Sequence, residues 1–285
     1  MLCGLCLASH DAISKVLTTL YPIMFVVWLR YLAQTVIMAG MYLPKMGKRL
    51  ITTQRPGLQF ARGLSLIGVS VFIFSAVLFM PLGEATAVMF LAPVVVVILS
   101  ALVLKEKISA GLWASVICGV VGVAIIVRPG GELFTWALLL PLAAAVCFGV
   151  YQMLTRRLSD TDHPATSNFL SAIMGTVALG LTLPWTWTTM EWQHLLLVVA
   201  LAVLAMSGHM FMTYAYRFAT AASLAPFTYG QIVVATIWGA LFFDHFPDAG
   251  GFIGMAIIIL SGVLLAWGQH RRRQARKALE TAASE

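Results

Sequence analysis

The chain has 285 residues, 60% of them apolar, with only 18 Lys and Arg and 11 Asp and Glu, where a soluble domain of this length would carry roughly 70 charged residues. So little polar surface excludes a water-soluble globule, a disordered chain and a free nucleic-acid-binding module, and makes the lipid bilayer the natural solvent. At about 20 residues per spanning helix, ten spans would use about 200 residues and leave about 85 for connections and tails, too few for a separate soluble domain.

Apolar runs bounded by charges and turn residues predict spans near residues 1–17, 22–43, 60–81, 84–103, 108–127, 133–154, 165–185, 193–216, 221–243 and 249–268. The expected fold class is an all-α membrane protein of ten transmembrane helices. Connections such as MPLGE, LKEKIS and RPGGEL are short enough that consecutive helices must be antiparallel neighbours. No basic stretch precedes the first run, so it reads as a first helix and not as a secretory signal peptide.

Polar side chains inside a span are costly unless partnered, and ionisable ones usually face the bundle interior or a watery cavity. In chain order, helix one offers His10 and Asp11, helix two Arg30 and Gln34, helix six Tyr151 and Gln152, helix eight His209 and Tyr214, and helix nine Tyr229, Gln231 and Trp238. With a rise of about 1.5 Å per residue, Asp11 lies about 9 Å and Arg30 about 12 Å below the same membrane boundary, so the two can meet. Either they form a structural pair joining adjacent helices, or Asp11 is a gate or proton-responsive carboxylate with Arg30 as its partner. Lys15, one turn above Asp11, is expected to snorkel to the interface.

Helices five and ten carry small residues at close spacing, Gly111, Ser115, Gly119 and Gly122 in one, Gly251, Gly254, Ser261 and Gly262 in the other. Such faces allow close helix packing, and part of this surface could serve a homodimer. Trp185, Trp187 and Trp192 flank the loop after helix seven and read as interfacial anchors. His209 and Thr213 share one helical stripe, and Pro226 permits a kink just before Tyr229 and Gln231. Those two are about 200° apart around a helix, so both cannot face one cavity squarely. The four cysteines, Cys3, Cys6, Cys118 and Cys147, lie in apolar runs and read as small packing residues; no metal or other cofactor site is expected.

With both termini in the cytoplasm, the inner side would hold Lys45, Lys48, Arg49, Arg55 and Arg62, then Lys105 and Lys107, Arg156 and Arg157, Arg217, and the tail residues Arg271, Arg272, Arg273, Arg276 and Lys277. Only Lys15 and Arg128 would face outward, a strong orientation signal for a cytoplasmic membrane. The tail then faces anionic lipid, which accounts for the net charge of +7 without any nucleic-acid partner.

The two halves can be laid on each other. At an offset of 141, Cys6 falls on Cys147, His10 on Tyr151, Asp11 on Gln152, Ser14 on Thr155 and Lys15 on Arg156; at 140, Gly111 and Gly122 fall on Gly251 and Gly262. Five spans per half, an odd number, make the second half enter the membrane the other way up, the inverted-repeat plan of secondary transporters, whose sites sit near the midplane. His209 corresponds to Ser70, so the halves are chemically unequal. Helix six beginning near Leu133 places the equivalent start of helix one several residues ahead of Met1, so either the true start is upstream or helix one is short.

The runs EATAVMFLAPVVVVILSALVLKEKISAGLWASVICGVVGVAIIVRPG and YAYRFATAASLAPFTYGQIVVATIWGALFFDHFPDAGGFIGMAIIILSG resemble the ends of the two repeats of the EamA family in the drug/metabolite transporter superfamily. The resemblance covers nearly the whole chain and implies repeats over residues 1–130 and 131–270, a basic cytoplasmic tail over 271–285, a cavity lined mainly by helices one to four and six to nine, and transport of a small organic solute. It also implies that the segment APFTYGQ lies by the substrate path. Where relatives often carry an acidic residue just before Phe-Pro-Asp, this chain has His245, preceded by Asp244.

These observations point to a secondary transporter of a small metabolite such as an amino acid, nucleoside or vitamin, with His10, Gln34, Tyr151, His209, Tyr214, Tyr229, Gln231 and Trp238 as candidate substrate contacts and Asp11 and Arg30 as candidate coupling or gate residues. A membrane-embedded enzyme would rest on His10 and Asp11 alone, without a clustered nucleophile, metal set or phosphate cradle. A non-transporting scaffold or sensor would need a signalling surface that such short loops do not offer. The chain has no P-loop, so ATP does not drive transport directly.

Overall fold

A computed structural model of the chain describes residues 2–92, 94–96, 98, 110–127, 135–218 and 221–264, with the backbone alone for 110–112, 115–116 and 221–229. Helices dominate, with no strand among the described residues. In chain order, leaving aside the one-turn helix Leu183–Thr186 and the short 3-10 helices Gly47–Leu50 and Trp136–Leu138, they are α1 (Leu2–Leu20), α2 (Ile23–Met46), α3 (Pro56–Phe79), α4 (Leu82–Met89), α5 (Ala110–Val127), α6 (Leu139–Leu158), α7 (Pro164–Gly180), α8 (Trp192–Phe218), α9 (Ala221–Phe243) and α10 (Ala249–Leu264). By length and composition alone, Ile23–Leu50, Pro56–Phe79, Trp136–Leu158 and Trp192–Phe218 are long and apolar enough to cross a bilayer. The connections LKEKIS and RPGGEL, the repeat boundary near residue 130 and the basic tail lie outside the described residues.

Local chemistry sets the helix ends. Pro56 and Pro164 occupy first-turn positions, where their fixed φ suits a helix and their missing N–H costs nothing. The His163 side chain caps α7 by accepting a hydrogen bond from the Ala165 backbone N–H, Nδ1 to N 3.2 Å. Gly47, at φ +53°, turns the chain out of α2, and Asp244, at φ 50°, ends α9. Helix three starts at Pro56 and not near residue 60, a shift that moves Arg62 from the edge of the expected span to nearly two turns inside the helix.

The halves interleave. α1 packs on α8 and α9, α3 on α6 and α7, α2 on α7 and α8, and α4 on α6 and α9. The main apolar core draws on both halves, including Tyr31, Phe74, Val88, Tyr151 and Leu201. The outer surface is apolar, with Phe60, Val177, Leu181, Leu196 and Leu241 exposed, as lipid-facing residues must be. Glycines permit close approach at the seams. A Cβ on Gly175 of α7 would stand 2.4 to 2.6 Å from Tyr31 ring atoms of α2, and one on Gly254 of α10 would stand 2.5 Å from the Gly122 carbonyl oxygen of α5. Gly122 and Gly254 therefore serve packing between α5 and α10 within one chain.

Candidate functional site

Within this apolar shell lies a buried polar layer built from α1, α2, α3, α6, α7, α8 and α9. It begins on α1, where His10 and Asp11 are both buried. The Nδ1 of His10 lies 2.9 Å from Asp11 Oδ1. That contact ties Nδ1 to the carboxylate and leaves Nε2 turned away from it. Nε2 is buried with no hydrogen-bond partner. The second Asp11 oxygen accepts from Gln231 Nε2 of α9 at 3.1 Å.

Arg30 of α2 is 1% exposed. Its Nη2 donates to Ser70 Oγ of α3 at 2.8 Å, its Nη1 reaches Gln34 Oε1 at 3.4 Å, and its Nε is buried without a partner. The guanidinium carbon stands 3.7 Å from the centre of the Tyr31 ring, whose hydroxyl is 3.1 Å from the same Ser70 oxygen. The expected Asp11–Arg30 pair does not form: Asp11 turns toward α9 and Arg30 toward α3. Axial rise placed them at one depth, and the direction around each helix separates them.

The second guanidinium is Arg62, fully buried in α3, although the charge pattern counted it among the cytoplasmic loop residues. Its Nε donates to Thr155 Oγ1 at 2.9 Å, its Nη1 to the Ser167 carbonyl at 2.6 Å and Ser171 Oγ at 2.7 Å, and its Nη2 to Tyr151 Oη at 2.8 Å and Asn168 Oδ1 at 3.2 Å. Because guanidinium only donates, the Tyr151 oxygen accepts from it, and the same oxygen lies 3.2 Å from His209 Nδ1. His209 is buried, and its contact with Tyr151 joins α8 to α6 beside the Arg62 cluster.

The other candidates are more dispersed. Trp238 Nε1 donates to Ser9 Oγ at 3.0 Å, a link between α9 and α1. Tyr214 is 37% exposed and its ring meets His163 edge-on, outside the buried layer. Tyr229 lies on the backbone of α9, and its side chain is outside the described residues. Trp185, Trp187 and Trp192 are exposed, with Trp187 packed edge-on against Phe25. The four cysteines are free thiols.

Sequence reasoning missed Arg62, Ser70, Asn168, Ser171 and Asp162. Pro56 was the available signal for Arg62, since a helix starting there carries it into the span. Asp162 accepts from Gln59 Nε2 at 2.7 Å and from Thr53 Oγ1, so one short connection between α6 and α7 holds the link between α2 and α3. At the opposite ends of the helices, buried Glu84 of α4 contacts His245, which follows α9, with Oε1 3.0 Å from Nε2.

The chain matches known proteins over most of its length. The sequence profile of the EamA-like transporter family matches residues 1–128 and 135–267. The chain belongs to the EamA-like transporter family. It is a multi-pass membrane transporter for a small metabolite and not an enzyme. The chain is 28% identical over 240 residues to the riboflavin transporter of Vibrio cholerae, covering 82% of this chain and 80% of that one. It is 25% identical over 268 residues to the S-adenosylmethionine uptake transporter of Rickettsia conorii, covering 93% and 90%. A crystal structure of another protein shares the fold of this EamA-like chain, with a TM-score of 0.69 at 19% identity, over 94% of this chain and 96% of that one.

Proposed function

We propose that the chain moves a small organic solute across the cytoplasmic membrane by alternating access between two inverted five-helix repeats, residues 1–130 and 131–270, around the buried polar layer. The observation that carries this reading is the layer itself: Asp11, Arg30, Arg62, Tyr151, His209 and Gln231 come from both halves of the chain and meet inside a bundle whose exterior is apolar. A buried layer of this kind is expensive in lipid unless it serves a path or a site.

The packing supports the repeat. Gly68 of α3 faces Cys147 of α6, and Gly208 of α8 faces Leu7 and Cys6 of α1. Cys6 and Cys147 are the residues matched at an offset of 141, and Gly68 and Gly208 differ by 140, so one contact is made twice with the partners exchanged. In this reading the chain has ten spans, both termini and residues 271–285 are cytoplasmic, and the loop around Trp187 is external. Single cysteines in a cysteine-free background, probed with an impermeant thiol reagent, test the orientation; labelling near Lys48 from outside contradicts it.

Substrate contacts fall to His10, Gln34, Tyr151, His209, Gln231 and Tyr229, with Asp11 and Arg30 as coupling or gating groups; Trp238 and Tyr214 lie further out. Amino acids, nucleosides and vitamins are the solute range, and the named cargoes of the relatives, riboflavin and S-adenosylmethionine, are the first to try. Counterflow in proteoliposomes tests the function. Preloaded solute should accelerate uptake of its labelled form, and His209→Ala should slow it at normal protein abundance. Absence of counterflow for the whole panel contradicts the reading.

A further inference from the structure

The central layer is unbalanced in charge. It holds two guanidiniums, Arg30 and Arg62, and one carboxylate, Asp11, all at least nine-tenths buried. Among the described residues neither guanidinium has a carboxylate within 4 Å, since the ion pairs found there involve His10 with Asp11, Arg156 with Asp160 and His245 with Glu84. Two guanidiniums against one carboxylate leave the layer at least one formal positive charge that no described side chain in it offsets. Removing such a charge from water is costly, and an anionic group that enters the site recovers that cost.

The two arginines differ in what they can still bind. Arg62 makes five hydrogen bonds through all three of its nitrogens. Arg30 makes one short bond, to Ser70, and one long one, to Gln34, and keeps Nε free. The Tyr31 ring beneath it and the Ser70 hydroxyl at one nitrogen hold the planar group in place. A fixed guanidinium with an unused N–H suits a carboxylate, which accepts from planar donors with well-defined geometry. His10, whose Nε2 is also free, lies within electrostatic reach of Arg30.

We infer that the transported solute carries a carboxylate, held by Arg30 through its unused Nε edge, with Arg62 acting as a structural cation that keeps α3, α6 and α7 together. The inference deepens the transport reading and rests on it. It separates the cargo classes named for the two relatives, since S-adenosylmethionine carries a carboxylate and riboflavin does not.

The test is a thermal-shift titration of the full-length protein in detergent at neutral pH. The probes are phenylalanine, nicotinate, biotin and S-adenosylmethionine, the amide of each of the first three, and riboflavin. At least one acid should raise the melting temperature where its amide does not, and Arg30→Gln should weaken that acid at least tenfold. Arg30→Lys keeps the charge and loses the planar edge; it should fold and weaken the same acid, which serves if the Gln variant does not fold. The inference is overturned if no acid binds, if amides or riboflavin bind as well as acids, or if both Arg30 variants keep the wild-type preference. Acid-selective binding without counterflow would leave the carboxylate site at Arg30 standing and remove the transport reading. Counterflow of riboflavin alone would do the reverse.

Discussion

Arg62 shows how a single residue changes meaning with its surroundings. Counted along the chain it is one more positive charge near a cytoplasmic loop; in the structure it is fully buried and ties three helices together through neutral acceptors. Arg62→Met should therefore lower the apparent melting temperature strongly, with a stability loss of about 2 kcal/mol or more, because hydrogen bonds to a charged group are lost and their acceptors stay buried. A variant that melts like the wild type would contradict that role. His163 offers a smaller, pH-dependent effect outside the spans. Burial, and then the charge of Arg217, lower its pKa below the ordinary imidazole range. A depressed histidine contributes stability that is present above its unfolded pKa and lost as pH falls through the folded one. Acidification protonates Nδ1 and removes the acceptor that caps α7. His163→Asn keeps a capping acceptor that does not titrate in this range, so the gap between wild-type and variant melting temperatures should shift in favour of the variant as pH falls from neutral to acid. A constant gap would show that the cap does not matter.

At the scale of helices, the apolar runs predicted the helical class and the four long apolar helices because a bilayer leaves few alternatives: backbone groups must pair within the helix, and each crossing needs a fixed length. The starts and ends differ by a few residues where proline or histidine chemistry, and not hydropathy, decides, as at Pro56 and Pro164. Position around each helix was much less legible. The rise per residue puts Asp11 and Arg30 at similar depths, yet their partners lie on α9 and α3 because side-chain direction depends on how the helices rotate against one another. The contact of α2 with α7 is a place where this rotation can be probed. Gly175 lets the Tyr31 ring sit against the α7 backbone, and Tyr31 is itself held by Ser70 and stacked under Arg30. Gly175→Ala should cost about 1–3 kcal/mol, since the crowded ring has nowhere to move without breaking those contacts. Adding Gly175→Ala to Tyr31→Ala should cost far less than adding it to the wild type. Equal costs in both backgrounds would exclude the ring as the source of strain.

For the whole molecule, the membrane class and the family were legible because composition, charge distribution and internal similarity act over hundreds of residues; the pairing of charges was not, because it depends on three or four local rotations. That pairing decides how Asp11 can act in transport. A carboxylate clamped by a guanidinium stays charged, whereas the partners of Asp11 are the His10 imidazole and the neutral Gln231 amide. Of these, Gln231 sits on α9 and His10 travels with Asp11 on α1. If alternating access moves α1 away from α9, Asp11 loses the Gln231 amide and keeps only its neighbour His10. That change of partner is the step at which Asp11 would couple transport to a gradient. Asp11→Asn keeps the size of the side chain and can still pair with Gln231, and Arg30 does not depend on it. The variant should fold, exchange solute by counterflow at close to the wild-type rate, and lose the acceleration that an imposed proton gradient gives the wild type. Wild-type transport that ignores a proton gradient, or an Asp11→Asn protein that still responds to one, would remove Asp11 from the coupling step and leave it as a packing link between α1 and α9.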